Sequence, residues 1–301
     1  MRILVATDFS PQSDRALRRA LLIARQCDAA ITILHVIERD QPMRLIERQR
    51  AIAHHHLEAT VETLGETDGI PANYLVEVGD IARMIDGAAD RTGSSLIVMG
   101  PHRKQFGDLF AGTIADRTIR SSRFPVLLAN APPSGQYRQS LLAVDFDDAS
   151  SSAFGAAEAL SFVRKSNLSA LHLFDAPAAG MMKRSMQPPE AVDRYVDYEA
   201  HRAADRLLSL ISANGVALSH PIVRPHHGSP TAAILSCADD LEADLIIVGT
   251  NQRLGVQRFV LGSIARDVLL ASKRDVLVVP VSAEQVLTGS KRLPSEPECV
   301  H

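Results

Sequence analysis

The chain has 301 residues, of which 46% are hydrophobic and 22% are charged, with a formal net charge of −3. This composition is typical of a globular protein in water, and the length predicts two domains. The small negative charge and the aromatic content of 4% argue against the basic or aromatic-rich surfaces of nucleic-acid-binding proteins.

The N-terminus and the cysteines indicate a cellular location. The opening MRILVATDFS becomes polar too early for a signal-peptide core, and no apolar run approaches the length of a membrane span. The three cysteines are far apart and odd in number, so neither a disulfide framework nor a CxxC metal site is expected. We therefore predict a cytoplasmic protein with no membrane partner.

Several segments of the first half recur in the same order in the second half. The first half contains ILVATDFSPQSDRAL (3–17), ITILHVIE (31–38), SSLIVMG (94–100) and FPVLLAN (124–130). Their counterparts are LLAVDFDDASSSAFGAAEAL (141–160), LSALHLFD (168–175), ADLIIVG (243–249) and DVLVVPV (275–281). Such a recurrence indicates a duplicated unit of about 140 residues.

The boundary between the two units lies at APPSGQY (131–137), which is rich in turn-forming residues and predicts a linker. We therefore assign residues 1–133 to the first domain and residues 138–282 to the second. The apolar pattern ends there, so residues 283–301 are expected to form a disordered tail.

Short apolar runs alternate with segments of helical spacing in both halves. The runs are rich in Val, Ile and Leu, as are strands of a parallel sheet that is covered on both faces. The first helix is predicted to start at Pro11, with Ser10 as its N-cap. The expected apolar stripes of the first helix and of one longer helix in each half are Leu17, Leu21 and Ala24; Leu45, Ile52, Leu57, Val61 and Leu64; and Val192, Val196, Ala203, Leu207 and Leu210. The fold class is therefore α/β, with two tandem doubly wound open parallel-sheet domains of Rossmann-like type.

Ligands of such sheets bind beyond the carboxyl ends of the strands, where Asp8, Asp145, Gly100 and Gly249 are expected. The loop after Gly249 leads to Gly262-Ser263 at the start of a predicted helix. Backbone N–H groups and the macrodipole at such a helix start favour an anion. Gln252 lies where a third glycine would let the backbone approach a phosphate, and a non-glycine residue in a left-handed conformation there costs about 1–2 kcal/mol.

The VxxD strand end, the LHV or LHL second strand and the MG or VG…G(S/T) ending resemble the universal stress protein family. The two copies resemble its tandem subgroup, and the resemblance covers nearly all of residues 1–282. Nucleotide-binding members of that family carry G-x2-G-x9-G-(S/T) after the fourth strand. The resemblance implies that ATP lies between this loop and the aspartate of the first strand.

For the second half, the resemblance implies a nucleotide site with Asp145 at the nucleoside and with Arg253 and Arg258 as candidate cations for the phosphates. The complete set is Asp145, Leu173, Val248, Gly249, Arg253, Arg258, Gly262, Ser263 and Ile264. The loop of the first half is one residue shorter and has Arg103 in place of the middle glycine, so binding is expected chiefly in the second half. The corresponding first-half set is Asp8, Val36, Met99, Gly100, Arg103, Gly112 and Thr113. Mg²⁺ is expected only together with the nucleotide.

Each of these assignments has a structural alternative. Asp145, helped by Asp147 and Asp148, could cap the following helix, and Ser263 could be no more than an N-cap. The arginines could be solvated loop cations. His54–His56 resemble metal ligands, but consecutive helical residues point in different directions, so no metal site is expected.

Three functions remain open. The first is a cytoplasmic stress-response protein that binds ATP or a related adenine nucleotide and acts as a sensor or regulator. The second is a nucleotide-free protein-interaction scaffold, and the third is a weak ATPase, which ranks last because no nucleophile or general base is found. In the family the last strand pairs two domains about a twofold axis. DVLVVPV and FPVLLAN are therefore expected to form an internal pseudo-dimer, with further homo-oligomerisation left open.

Overall fold

The computed structural model describes residues 1–101, 112–216, 220–226, 228–250 and 261–287. These residues form a single sheet with helices packed against both of its faces. Successive residues of the first strand belong to different hydrophobic cores, because Ile3 and Val5 lie in one core and Leu4 lies in the other. This alternation is the reason that the strands are apolar along their whole length.

The sheet has the strand order β3-β2-β1-β4-β5-β10-β9-β6-β7-β8. Its strands are β1 (Arg2–Thr7), β2 (Ala30–Ile37), β3 (Ala72–Val78), β4 (Leu96–Met99), β5 (Val126–Leu128), β6 (Gln139–Val144), β7 (Asn167–Phe174), β8 (His220–Pro225), β9 (Leu245–Thr250) and β10 (Asp275–Pro280). All neighbouring pairs within each half are parallel. The predicted fold class is confirmed, and β3 and β8 are strands that the repeated landmarks did not include.

The connections between the strands are mostly helical. The helices are α1 (Pro11–Cys27), α2 (Met43–Asp68), α3 (Ile81–Thr92), α4 (Ile114–Ser121), α5 (Asp148–Ala159), α6 (Ser161–Arg164), α7 (Pro177–Arg184), α8 (Pro189–Asn214), α9 (Pro230–Asp240), α10 (Ser263–Ala271) and α11 (Ala283–Leu287). Helix α1 begins as predicted, since the Ser10 side chain accepts a hydrogen bond from the N–H of Ser13. None of the described helices combines the length and hydropathy needed to cross a bilayer.

The predicted stripe of α2 is wrong at its N-terminal end. Leu45 and Ile52 are exposed, whereas Ile46 and Ala53 are buried together with Leu57 and Leu64. The face of α2 against the sheet is therefore shifted by one residue there. Leu45 and Ile46 are both apolar, and so are Ile52 and Ala53. The apolar pattern alone therefore could not show which residue of each pair is buried.

The two halves join through their last strands. Residues 126–128 of β5 pair with residues 276–278 of β10 in antiparallel register. The two expected sheets are thus one continuous sheet, and the expected internal pairing of the halves is present. Because the joined strands are antiparallel, the carboxyl ends of the strands of one half lie at the opposite edge of the sheet from those of the other half.

A buried polar cluster fixes this junction. Asp275 at the start of β10 is fully buried, and its carboxylate accepts hydrogen bonds from the Tyr137 hydroxyl at 2.6 Å and from the N–H of Ala131 at 2.8 Å. Arg19 of α1 places Nε 2.7 Å from Asp275 Oδ2, and its Nη1 donates to the carbonyl of Gly135 at 2.7 Å. The cluster therefore ties the first half, the linker and the second half together.

The C-terminal segment differs from the expected tail at its start. The chain forms the short helix α11, and Ala283 is buried against α5 and the rest of one core. The remaining part of the predicted tail, residues 288–301, lies outside the described residues.

Removing the cation of this cluster is expected to destabilise both halves together. Arg19→Met leaves the Asp275 carboxylate buried without its cation, so the free energy of unfolding should fall by about 3–5 kcal/mol. Arg18→Met is the matched control, because Arg18 pairs with Asp14 on the surface with 68% of its side chain exposed. Its loss should cost less than about 1 kcal/mol. Urea denaturation measures both values, and equal losses would contradict the role assigned to the cluster.

Candidate functional site

Each half has a cavity beyond the carboxyl ends of its strands. The cavity of the second half has a volume of about 390 Å³. The cavity of the first half has a volume of about 540 Å³. Both lie within the range of small-molecule sites, at the place where doubly wound sheets bind their ligands.

The structure brings the described members of each predicted set together around one cavity. The second cavity is lined by Asp145, Leu173, Val248, Gly249, Gly262, Ser263 and Ile264. The first cavity is lined by Asp8, Val36, Met99, Gly100, Gly112 and Thr113. Arg103, Gln252, Arg253 and Arg258 lie outside the described residues, so their proximity to the cavities stays a prediction.

The turn that follows the first strand of each half is strained in the same way. Phe9 has φ 60° and Phe146 has φ 48°, a left-handed conformation that costs a residue with a side chain of this size roughly 1–3 kcal/mol. The Phe9 ring lies 4.4 Å from the ring of His35, and the Phe146 ring lies 4.0 Å from that of His172. These ring contacts hold the turn that presents the preceding aspartate to the cavity.

The two histidines are anchored by the strands beside them. His35 Nδ1 lies 2.9 Å from the carbonyl oxygen of Thr7, and His172 Nδ1 lies 3.1 Å from that of Val144. Burial lowers the pKa of His172, which favours its neutral form. The Asp-Phe pairs and the histidines occur at matching places of the two halves in the sequence. Only the structure shows that each phenylalanine ring contacts the histidine of the neighbouring strand.

The two strand-end aspartates differ in their environments. Burial tends to raise the pKa of Asp8, but hydrogen bonds from Ser10 and Ser13 outweigh it and hold that pKa below its ordinary value. The N–H of Ser10 donates to Asp8 Oδ1 at 3.0 Å. Burial and the neighbouring Asp147 carboxylate instead raise the pKa of Asp145.

The capping alternative for Asp145 is not what the structure shows. Asp147 is the N-cap of α5, and its carboxylate accepts from the N–H of Ser150 at 2.9 Å. The Ser150 hydroxyl in turn accepts from the N–H of Asp145 at 2.9 Å. The network fixes the backbone of Asp145 and leaves the capping of α5 to Asp147.

The two helices that start at the cavities are capped differently. Thr113 is the N-cap of α4, and its hydroxyl accepts from the N–H of Asp116 at 3.1 Å. The N-cap of α10 is Gly262, and among the described residues no side chain caps this helix. Ser263 is therefore the first residue of α10 and not its N-cap. Its hydroxyl and the first N–H groups of α10 border the second cavity, and no side chain of the described residues accepts a hydrogen bond from these N–H groups.

Gly100 and Gly249 are needed for packing and not for a left-handed turn. A Cβ atom on Gly100 would lie 2.4 Å from the carbonyl oxygen of Gln12, and one on Gly249 would lie 2.6 Å from that of Ala149. The first turns of α1 and α5 therefore pass directly over these glycines. A Cβ on Gly262 would meet no atom of the described residues within 4 Å, and Gly262 has φ −56°.

The lining of the second cavity also includes residues outside the predicted set. Asp175, Pro230 and Ile234 line it, and His226 lies there with Nε2 3.0 Å from Asp175 Oδ1. They come from the ends of β7 and β8 and from α9. His54–His56 are exposed on α2, and the described residues contain no group of three side chains that could hold a metal ion.

Comparison with known proteins agrees with the fold and the duplication. The sequence model of the universal stress protein family matches residues 1–130 and again residues 136–280. A universal stress protein of Mycolicibacterium smegmatis is 24% identical in an alignment 307 residues long, and this alignment covers 92% of this chain and 96% of that relative. A crystal structure of a universal stress protein from Archaeoglobus fulgidus is similar with a TM-score of 0.68 and 22% identity, covering 93% of this chain and 98% of the other. A protein of unknown function from Pseudomonas aeruginosa is similar with a TM-score of 0.61 and 20% identity, covering 96% and 97%.

Substituting Gly249 and Gly262 distinguishes a glycine that is needed for packing from one that is not. Gly249→Ala should lower the free energy of unfolding by about 3 kcal/mol, because its new methyl group meets a helix backbone that must move. Gly262→Ala should cost no more than about 1 kcal/mol, the difference between glycine and alanine at an N-cap. Chemical denaturation of both variants tests this order, and a Gly262→Ala loss as large as that of Gly249→Ala would contradict it.

The two aspartates are expected to affect stability in opposite directions at neutral pH. The lowered pKa of Asp8 means that its carboxylate stabilises the fold above the ordinary aspartate pKa, and this contribution is lost as the pH falls through the lowered value. The raised pKa of Asp145 means that its ionised form destabilises the fold once the pH exceeds the raised value. At pH 7, Asp8→Asn should therefore lower the free energy of unfolding and Asp145→Asn should not. Denaturation at pH 7 and near pH 3 checks both signs, and a loss for Asp145→Asn at pH 7 would overturn the assignment.

Proposed function

Since this chain belongs to the universal stress protein family, which it matches once in each half, we propose that it binds ATP or a related adenine nucleotide in its second half. In this role it acts as a sensor or regulator in the response to stress. The observation that carries the proposal is the start of α10, where no side chain of the described residues caps the helix beside a cavity of nucleotide size.

The phosphates are assigned to the first amides of α10. The N–H groups from Gly262 to Ile264 border the cavity and lie at the positive end of the helix. The Ser263 hydroxyl adds a donor there. The predicted cations Arg253 and Arg258 would add charge-assisted hydrogen bonds, which are stronger than those of neutral groups.

The nucleoside is assigned to the part of the cavity that Asp145 lines, at the end of β6. Asp145 lies there with its backbone fixed by Ser150, so its carboxylate can accept hydrogen bonds from ribose hydroxyls. Leu173, Val248 and Ile234 supply apolar surface for the base. The Arg206 guanidinium lies 4.2 Å from the Phe146 ring and acts to lower the pKa of Asp145 against the effect of burial, so it favours the charged acceptor.

Magnesium fits this site only as a companion of the phosphates. Among the described residues, no group of three carboxylate, histidine or cysteine side chains has the geometry to hold a metal ion. Mg²⁺ keeps several water ligands and binds nucleotide phosphates with few protein ligands, so a dedicated set of side chains is not required.

Regulation is proposed in preference to catalysis because two polar side chains of the described lining, Ser150 and His226, are engaged with carboxylates. The Ser150 hydroxyl donates to Asp147 Oδ1 at 2.9 Å and accepts from the N–H of Asp145. His226 contacts Asp175 through Nε2. In neither of these two contacts does a histidine accept a proton from a hydroxyl or thiol, which is a common way to activate a nucleophile.

Titration calorimetry with ATP and Mg²⁺ tests the assignment of the phosphates. We expect one ATP per chain for the wild type and a dissociation constant at least about tenfold higher for Ser263→Ala, because a hydrogen bond to a charged group is lost. Gly262→Ala should weaken binding in the same way by placing a methyl group at the cavity while leaving the fold intact. Ser263→Thr is the matched control, since it keeps the hydroxyl as Thr113 does in the first half.

Two other results of the same titration would contradict this assignment. If the folded wild type gives no heat with ATP or ADP, with or without Mg²⁺, the proposal fails and a nucleotide-free interaction scaffold replaces it. If the wild type binds but Ser263→Ala binds equally well, the nucleotide lies elsewhere.

A further inference from the structure

The two helices that start at the cavities have nearly the same sequence, but the charges at two neighbouring positions are exchanged. Residues 112–117 read Gly-Thr-Ile-Ala-Asp-Arg, and residues 262–267 read Gly-Ser-Ile-Ala-Arg-Asp. Asp116 in the first half thus corresponds to Arg266 in the second. This reversal lies in the first turn of each helix. An acidic side chain in that turn occupies the position that is also favourable for an anionic ligand.

Asp116 already fills the anion position of the first half. It is 4% exposed, and its Oδ2 accepts a hydrogen bond from the N–H of Gly112 at 2.9 Å. Arg120 donates to its other oxygen at 2.6 Å. The carboxylate therefore satisfies the amide of the loop that would otherwise face a phosphate, and its charge would repel one.

Arg120 is the cation that pairs with this carboxylate, and the cation that lines the first cavity pairs with a different residue. Arg117 lines the cavity but forms an ion pair with Asp80, the N-cap of α3. In the second half, Arg266 is 43% exposed and lies 3.4 Å from its neighbour Asp267, a distance too long for a strong pair. The start of α10 therefore keeps a cation where α4 has a carboxylate.

Three further side chains of the first cavity offer hydrogen-bond acceptors. Asp8 has a lowered pKa and is ionised at neutral pH, and Glu38 lies at the exposed side. The side-chain oxygen of Gln12 is buried and accepts no hydrogen bond from the part of the chain that the structure describes. These acceptors suit a ligand with N–H and O–H donors, whereas a phosphate offers acceptors.

We propose that the first cavity binds a nucleoside without phosphate, and that Asp116 is the residue that excludes phosphorylated ligands from it. The choice of a nucleoside rests on the function proposed for the second half, whereas the exclusion of phosphate rests on Asp116 itself. Leu34, Ile85 and Met99 provide the apolar surface for a base in a cavity larger than that of the second half. The chain then carries two sites that distinguish the same nucleoside with and without its phosphates.

Methyl NMR of the full chain separates the two sites. Met99 and Ile85 line the first cavity, whereas Ile234 and Ile264 line the second. With adenosine we expect shifts at Met99 and Ile85. With ATP we expect shifts at Ile234 and Ile264 only, at concentrations that leave Met99 unmoved.

Changing the charge of the helix start should change this selectivity. Asp116→Asn keeps an acceptor for the N–H of Gly112 but removes the negative charge. ATP should then shift Met99 with an affinity at least about tenfold higher than in the wild type. The converse variant, Arg266→Asp with Asp267→Arg, should remove the ATP response of Ile264, and both of its changed side chains are about half exposed.

Each outcome decides one of the two proposals. If ATP shifts Met99 of the wild type as strongly as adenosine does, or if adenosine leaves Met99 unmoved at saturating concentration, the selectivity proposal is wrong. If Asp116→Asn does not fold, the converse variant takes its place, and an unchanged Ile264 response would overturn the role of this position. A wild type whose Ile264 ignores ATP while Met99 responds to adenosine would contradict the proposed function and leave the first-cavity site supported.

Discussion

The antiparallel pairing of β5 with β10 determines how the two halves of this molecule are arranged. Each half is a parallel sheet, and its cavity lies where its own strands end. Because the joining strands run in opposite directions, the two cavities lie at opposite edges of one continuous sheet. The buried ion pair between Arg19 and Asp275 fixes that pairing, and a buried charge without its partner would be costly. Each cavity is therefore built by one half alone, on a scaffold that the other half helps to hold in place.

Duplication on such a scaffold allows the chemistry of the two sites to diverge without a change of fold. The strand-end turns are the same in both halves, down to a phenylalanine in a left-handed conformation against a histidine. The two helix starts differ in capping and in charge. Thr113 accepts from the N–H of Asp116 and Asp116 accepts from that of Gly112, whereas no side chain of the described residues caps α10. The backbone therefore forms the same cavity in both halves, and the side chains at the helix starts give the two cavities different chemistry.

Much of this arrangement follows from the sequence, because the repeated apolar runs and the loop glycines carry strong patterns. The runs predicted the parallel sheets, and the spacing from Gly249 to Gly262-Ser263 placed both ends of the loop at one cavity. The apolar pattern was misleading on α2, where neighbouring residues are both apolar. Leu45 and Ile52 were therefore assigned to the buried face, although both are exposed. Gly249 was predicted at the right place, but the close approach of Ala149, which requires a glycine there, can be seen only in three dimensions. The exchange of Asp116 for Arg266 was visible in the sequence, but its meaning depended on the hydrogen bond to Gly112.

The central claim is that the amides at the start of α10 hold the phosphates of an adenine nucleotide. Backbone amide NMR of Ser263 and Ile264 measures this contact directly, because an N–H group that donates to a phosphate shifts strongly. The account predicts large downfield shifts of these two amide protons with ATP and small shifts with adenosine at equal saturation. Amide resonances of Ser263 and Ile264 that stay unmoved while ATP binds the protein would contradict it.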